Sequence, residues 1–471
     1  MAEQPSGLII SAPASGSGKT VVTLGLLRAL GRAGVAVASF KVGPDYIDAA
    51  YHAAASFRPC YNLDPWAMRP ATVAGLLDRL RDDAALIVGE GVMGLFDGAG
   101  DDTGSTADLA ALTGFPVLLV VDVRGQGASA AALLRGFAGH RADVAVAGVL
   151  FNRVGGPGHG ELLRRAVAPL GLPVLGCLPR DPALALPERH LGLVQAGERP
   201  DLDLFLDGAA ALVAREVDLG ALRALARPMR TLPGAADRTA LPPLGQRVAV
   251  ARDTAFAFAY PALLEGWRAA GAELSWFSPL ADEAPAADAD AVYLPGGYPE
   301  LHAGRLAGNR RFLAGLRAAA ARGATVFGEC GGYMVLGAGL TDGDGARHAM
   351  AGLLPLESSF AERRLRLGYR RARLVGGCAL GPAGAAFCGH EFHYATVLDE
   401  GEGEKLFDCR DSLGRDLGPG GRRRGSVLGS FVHLIDRAEP TPPKSLASPA
   451  EAGFAKAGAT KADAILPPAA N

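Results

Sequence analysis

The chain has 471 residues, with 47 Lys and Arg against 49 Asp and Glu and a net charge of −2. That length exceeds one ordinary core and predicts two domains, while the near-neutral balance gives no general attraction to nucleic acid or an anionic membrane. The six cysteines are scattered without a CxxC pair, and no segment reads as a secretory signal or as the roughly 18 apolar residues of a spanning helix, so a cytoplasmic, thiol-reduced protein is expected.

In chain order, the predicted elements begin with a strand at 7–12 (GLIISA) and a helix at 19–33. Strands follow at 35–42, 84–90, 116–122, 144–152 and 173–179, most of them separated by helical stretches. Such near-continuous β-branched runs are buried on both faces, so a parallel sheet covered by helices is predicted. A Pro/Gly-rich stretch at 227–246 precedes a second α/β series, with strands at 247–252, 272–279, 290–297 and 324–329 and strand-like pieces around 385–398 and 426–432. The fold class is α/β throughout. The domain limits read from these shifts are 1–235, a linker at 236–246, a second domain at 247–437, and a Pro/Ala/Lys-rich tail at 438–471 expected to be disordered. The basic run Arg422-Arg423-Arg424 reads as a solvated loop in its Gly/Pro-rich surroundings.

The stretch SAPASGSGKT (11–20) follows a strand and opens a helix, where a phosphate loop must sit. Its small residues, Gly16 and Gly18 among them, let backbone N–H groups converge on phosphates. Lys19 supplies charge to the β/γ oxygens, and the Thr20 hydroxyl is placed to reach Mg²⁺. Acids end the neighbouring strands: Asp45 and Asp48 in KVGPDYID, Glu90 in ALIVGE, and Asp97 in GVMGLFDG. In an open parallel sheet those carboxyl ends form the ligand crevice, so these acids are candidates for completing a Mg²⁺ shell or orienting a phosphate acceptor. A helix cap for Asp45 or Asp48 and a turn for Asp97 are the competing readings. Asn152-Arg153, at another strand end, is read equally as a base contact or an ordinary turn.

A second chemistry is written in VFGECGGYMVLG (326–337), where an apolar run breaks at Glu329-Cys330-Gly331-Gly332 and resumes at helical spacing. A strand-to-helix corner of this kind exposes a nucleophile and frees the Gly331 N–H for an oxyanion. LPGGYPE (294–300) offers Gly296 and Gly297 as further amide donors, and SFVHL supplies His433 as a base. His390 and His393 in GHEFHY are its rivals, and a small buried hydrophobe is the alternative for Cys330.

Together SAPASGSGKT, KVGPDYID, EGVMGLFDG, PGGYPE, GECGGYM, GHEFHY and GSFVHL span about 7–435, and in this order the chain resembles the cobyrinic/hydrogenobyrinic acid a,c-diamide synthases of cobalamin biosynthesis. The resemblance implies a dethiobiotin-synthetase-like P-loop domain followed by a class I glutamine amidotransferase domain. It implies that Cys330, with His433 as base and Gly297 and Gly331 as oxyanion donors, releases ammonia from L-glutamine. ATP then phosphorylates a corrin carboxylate, and ammonia displaces the phosphate at side chains c and a. Carried over, Gly16, Gly18, Lys19 and Thr20 bind nucleotide, Thr20, Asp45 and Glu90 hold Mg²⁺, and Asp48 and Asp97 attend the activated carboxylate. The partners are small molecules, namely the corrinoid, ATP and glutamine or ammonia, with a homodimer the one assembly considered. GECGGYMVLG and GHEFHYATV lean toward the metal-free, hydrogenobyrinic branch. The alternatives are the same reaction on cobalt-containing cobyrinic acid, a cobyric acid synthase, and a P-loop regulatory ATPase. Two positions depart from the family pattern: Ala49 stands where relatives commonly have proline, and Ile435 stands where class I glutaminases usually carry Glu, which implies a Cys–His dyad.

Overall fold

A computed structural model describes residues 5–439, apart from 83, 191, 231 and 233–239. Residues 236–239 of the linker and the sequence-predicted tail from 440 on therefore lie outside the described residues. The first half builds a sheet from β1 (Ser6–Ser11), β2 (Val37–Val42), β3 (Cys60–Leu63), β4 (Leu86–Glu90), β5 (Val117–Asp122), β6 (Val146–Val154) and β7 (Val174–Pro179). These seven are parallel in the order β3-β2-β4-β1-β5-β6-β7, and residues 227–228 add a short antiparallel strand beside β1. Helices α1 (Lys19–Arg32) and α2 (Tyr46–Ser56) follow β1 and β2. Because β2, β4 and β1 are adjacent, the phosphate loop, the Asp45/Asp48 turn and Glu90 emerge side by side at one sheet edge. Among the seven parallel strands β3 alone escapes the sequence reading: four residues, CYNL, are too few to show a period.

The second half is a ten-stranded mixed sheet. Strands Glu273–Phe277, Arg247–Ala251, Ala291–Leu294, Thr325–Glu329 and Val427–Ser430 run parallel, and antiparallel strands continue from there to Ala386–His393 and Val432–Arg437. The chain passes from Val427–Ser430, inside this sheet, through the single residue Phe431 into Val432–Arg437, at its end. The sheet must therefore curl back on itself, which returns its last strand to the strand that ends at Glu329.

The structure corrects the reading of Arg422-Arg423-Arg424. They close a strand, Asp416–Arg424, and pair with Val427–Gly429. The Gly and Pro residues that suggested a loop have a packing cause at Gly421, whose φ is +81° and where a Cβ would come within 2.1 Å of the Gly429 carbonyl oxygen.

The two halves share one core: Leu63, Trp66 and Leu76 from the first belong to the same buried apolar cluster as Tyr260, Trp267 and Phe387 from the second. Polar ties reinforce this contact. Tyr61 donates to Glu265 Oε2 at 2.7 Å, Tyr369 donates to Asp64 Oδ2 at 3.0 Å, and the Trp66 and Tyr369 rings stack with centroids 4.4 Å apart. Asp436, fully buried, accepts from the Arg69 backbone N–H at 2.8 Å and from its guanidinium at 2.9 and 3.0 Å. Replacing Asp436 with Ala strands those donors in a buried place, so Asp436→Ala is expected to lower unfolding free energy by about 3 kcal/mol in denaturant titration. A change of less than about 1 kcal/mol would mean that apolar burial alone joins the halves. No described helix is long and apolar enough to cross a membrane.

Candidate active site

The phosphate loop is shaped by two left-handed glycines, Gly16 at φ +74° and Gly18 at φ +84°, the latter being the N-cap of α1. A side chain at either would be strained, and at Gly18 it would also strike Asn152, whose Nδ2 is 2.3 Å from the Cβ position. Asn152 and Arg153 brace the loop from behind: Asn152 Nδ2 donates to the Ser17 carbonyl at 2.9 Å, and Arg153 Nη1 to the Gly16 carbonyl at 2.8 Å. The same two residues line a pocket of about 230 Å³ with Gly18 and Pro179–Pro182.

Beyond the loop lies a buried charge cluster. The Thr20 hydroxyl donates to Glu90 Oε1 at 2.6 Å and stands 3.4 Å from Asp48 Oδ2. Lys41 Nζ reaches both carboxylates, at 2.5 Å to Asp48 and 2.7 Å to Glu90, and His52 Nε2 is 2.7 Å from Glu90 Oε2. Burial and the neighbouring Asp45 push the Asp48 carboxyl up to about 6. Burial acts on Glu90 in the same sense, but Lys41 and His52 outweigh it and hold Glu90 ionised, well below the usual carboxylate range. Burial and then the Lys41 charge lower Lys19. Like charges this close persist only because acids interleave them.

The sequence reading grouped Thr20, Asp45 and Glu90. In the structure Asp48 stands beside Thr20 and Glu90, while Asp45 is the N-cap of α2, its Oδ1 accepting from the Ile47 and Asp48 N–H groups at 3.0 and 2.9 Å. Asp97 is exposed, and its Oδ2 accepts from the Gly94 N–H at 2.8 Å. That turn abuts the phosphate loop, with the Leu95 N–H donating to the Ala12 carbonyl at 2.9 Å. Lys41 and His52 were missed. Lys41 lies in the strand run VAVASFKV, and a lone buried lysine there was the available signal.

No group of three or more His, Cys, Asp or Glu among the described residues could hold a metal by itself. Thr20, Asp48 and Glu90 nevertheless offer a convergent set of oxygens with two carboxylates. That set fits Mg²⁺, which takes one or two carboxylates and draws its other ligands from water and phosphate.

At the other centre Cys330 follows its strand and caps the next helix, at φ 50° and ψ −104°. A non-glycine residue held there costs on the order of 1–3 kcal/mol, and such strain collects at active sites. Tight packing enforces it: Gly332 admits no Cβ, which would lie 2.0 Å from the Leu294 carbonyl oxygen. The Cys330 N–H donates to the Ser430 carbonyl at 2.8 Å, which leaves the thiol 3.9 Å from the Phe392 carbonyl. His433 Nε2 and Cys330 Cβ lie 3.2 and 3.3 Å from the point a Gly296 Cβ would occupy, so the histidine and the thiol flank that glycine. The Gly297 amide nitrogen is 3.1 Å from the Cβ position of Gly331, so the two glycines are neighbours.

Glu329 sets this register. It accepts from the Leu434 N–H at 2.9 Å and from the Tyr293 hydroxyl at 2.6 Å, tying the strand that carries His433 to the strand that leads into Cys330. Burial pushes its carboxyl up to about 7. Burial also drives His433 down to about 3, with His390 and His393 adding to the effect, and pushes the Cys330 thiol far above its usual value. The resting pair is therefore a neutral thiol and a neutral imidazole. Neither ring nitrogen of His433 has a hydrogen-bond partner. Ile435 is buried where a third, carboxylate member would stand. Of the rivals, His390 pairs directly across from His433, and His393 is engaged by Glu391 Oε1 at 2.9 Å.

A loop built to wrap phosphate and a strained thiol with a neutral imidazole, joined by one core, define a P-loop glutamine amidotransferase. Residues 8–194 match the CobQ/CobB/MinD/ParA nucleotide binding domain, and residues 247–440 match the CobB/CobQ-like glutamine amidotransferase domain. The chain is 58% identical over 431 residues to a hydrogenobyrinate a,c-diamide synthase of Brucella suis biovar 1 (strain 1330), covering 91% of this chain and 98% of that protein. Proteins of the same description from Rhizobium meliloti (strain 1021) and Mesorhizobium japonicum are 57% and 52% identical over 435 residues, covering 92% of this chain and 100% and 98% of theirs. The chain belongs to the hydrogenobyrinate a,c-diamide synthase family. It is accordingly an amidating carbon–nitrogen ligase with a glutamine amidotransferase domain.

Proposed function

We propose that this protein converts hydrogenobyrinic acid to its a,c-diamide, using ATP and glutamine. The observation that carries this reading is the 58% identity, over 91% of the chain, to proteins described by that activity. In the proposed reaction His433 takes the Cys330 proton as sulfur attacks the glutamine amide carbon, then delivers it to the departing ammonia. The Gly297 and Gly331 amides face the oxyanion, and water hydrolyses the thioester to glutamate. In the other half a corrin carboxylate oxygen takes the γ-phosphoryl group of ATP, and ADP leaves. Ammonia then attacks the acyl carbon, and phosphate departs. Thr20, Glu90 and Asp48 would hold Mg²⁺, which would supply charge neutralisation at the β/γ oxygens. Lys19 reaches the same oxygens, and Asp45 holds the α2 turn that presents Asp48.

The test is to supply hydrogenobyrinic and cobyrinic acids separately, with ATP and glutamine, and to follow product mass. Two successive acid-to-amide conversions of the metal-free corrin are expected. Conversion of the cobalt corrin alone would refute the substrate assignment.

Asp97 lies outside the loop that wraps phosphate, and Asn preserves its acceptor for Gly94. Asp97→Asn is therefore expected to lower amidation by about tenfold or more while ATP affinity stays within about threefold. A collapse of nucleotide binding would move Asp97 into the Mg²⁺ shell.

A further inference from the structure

Tyr46 is the first residue of α2, next to the Asp45 cap and two before Asp48, yet its ring belongs to the other centre. It packs against the His433 imidazole with centroids 4.6 Å apart, and against Tyr260 and Phe258 at 4.7 and 5.3 Å. It also borders a groove of about 630 Å³ between the two halves, lined in part by Ala49, Gln195, Phe256 and Trp276. A single side chain thus lies between the thiol centre and that groove, on a turn whose next acid belongs to the phosphate cluster.

The polar atoms around this ring are a second observation. The Tyr46 and Tyr260 hydroxyls interact with one another and have no further partner, and both His433 nitrogens are without partners. Buried polar groups are almost always paired, because an unpaired one has lost its water without a replacement. Groups of this kind around the base that releases ammonia suit a small neutral molecule that both donates and accepts.

We infer that Tyr46 is a positioning residue that seals the glutaminase centre and retains ammonia for the amidation site. The inference rests on the proposed reaction. While the ring is seated, it closes the thiol centre toward the groove. Ligands at Lys19, Thr20 and Asp48 set the first turn of α2 and so set the ring against His433. Ammonia made with the ring in place passes along the Tyr46 and Tyr260 hydroxyls. Ammonia made without it escapes.

The experiment compares wild type with Tyr46→Ala and, should that variant not fold, Tyr46→Leu, which keeps apolar volume without a ring. Glutamate formed per amide formed is expected to rise about threefold or more, while amidation from ammonium salts stays within about twofold of wild type. Stimulation of glutamate release by ATP and corrinoid is expected to be lost. An unchanged glutamate-to-amide ratio with intact rates would overturn the inference, leaving Tyr46 a packing residue. An equal loss of amidation from glutamine and from ammonium would also overturn it, assigning Tyr46 to the corrinoid site. Wild type that amidates neither corrin would instead refute the proposed reaction. Glutamate release with and without ATP would then still report the seal: loss of the ATP response in the variant upholds it, and an unchanged response refutes it.

Discussion

Cys330→Ser is expected to abolish glutamine-dependent amidation, by about 10³-fold or more, while amidation from ammonium salts remains within about twofold of wild type. Serine is nearly isosteric, so the strained turn at φ 50° and its bond to Ser430 are retained. What is lost is acidity. A serine hydroxyl is far less acidic than a thiol, so beside His433 it stays a poor nucleophile. Nothing in the Thr20–Lys41–Asp48–Glu90 cluster touches the sulfur, so the ATP-dependent half has no reason to respond. His433→Ala should give the same pattern. The comparison is read as diamide formed from each nitrogen source, at a pH where free ammonia is appreciable. A folded serine variant inactive with both sources would place Cys330 in the amidation step, and one active with both would make the elbow a structural turn.

Lys19→Ala should show the complementary pattern. Amidation from glutamine and from ammonium is expected to fall together, by about 10²–10³-fold, because a charge aimed at the transferring phosphoryl group is removed. Basal glutamate release should stay measurable. The fold should tolerate the change: Lys41, at 2.5 and 2.7 Å, still compensates Asp48 and Glu90. Removing Lys19 also relieves a repulsion, since burial and Lys41 already hold its ammonium below the ordinary value. Retention of amidation near the wild-type rate would refute the assignment of Lys19 to phosphate.

The large features were legible because each is a local pattern. The buried strands are continuous apolar runs, the phosphate loop is a run of small residues before Lys19-Thr20, and the elbow is a break at Glu329-Cys330-Gly331. The antiparallel strands Arg366–Leu374 and Asp416–Arg424 were not legible. Several of their charged residues face solvent, and in the latter Gly421 is demanded by a close backbone approach, so neither carries the period that marks a strand.

The sequence by itself determined which chemistries are present: backbone amides and a lysine for phosphate, a thiol and an imidazole for an amide. It could do so because each needs particular residue types at short, fixed spacing. Tertiary structure alone decided which acid serves which role. Asp45 and Asp48 are three residues apart, yet one caps α2 and the other meets Thr20 and Glu90, because a turn and a helix start aim them differently. Only the curl of the second sheet returns His433 to Cys330, with Glu329 holding the Leu434 amide in register. Only the shared core sets Tyr46, on the ATP-binding half, against the histidine of the other. Contacts between residues hundreds of positions apart are set by packing, which no local pattern in the chain encodes.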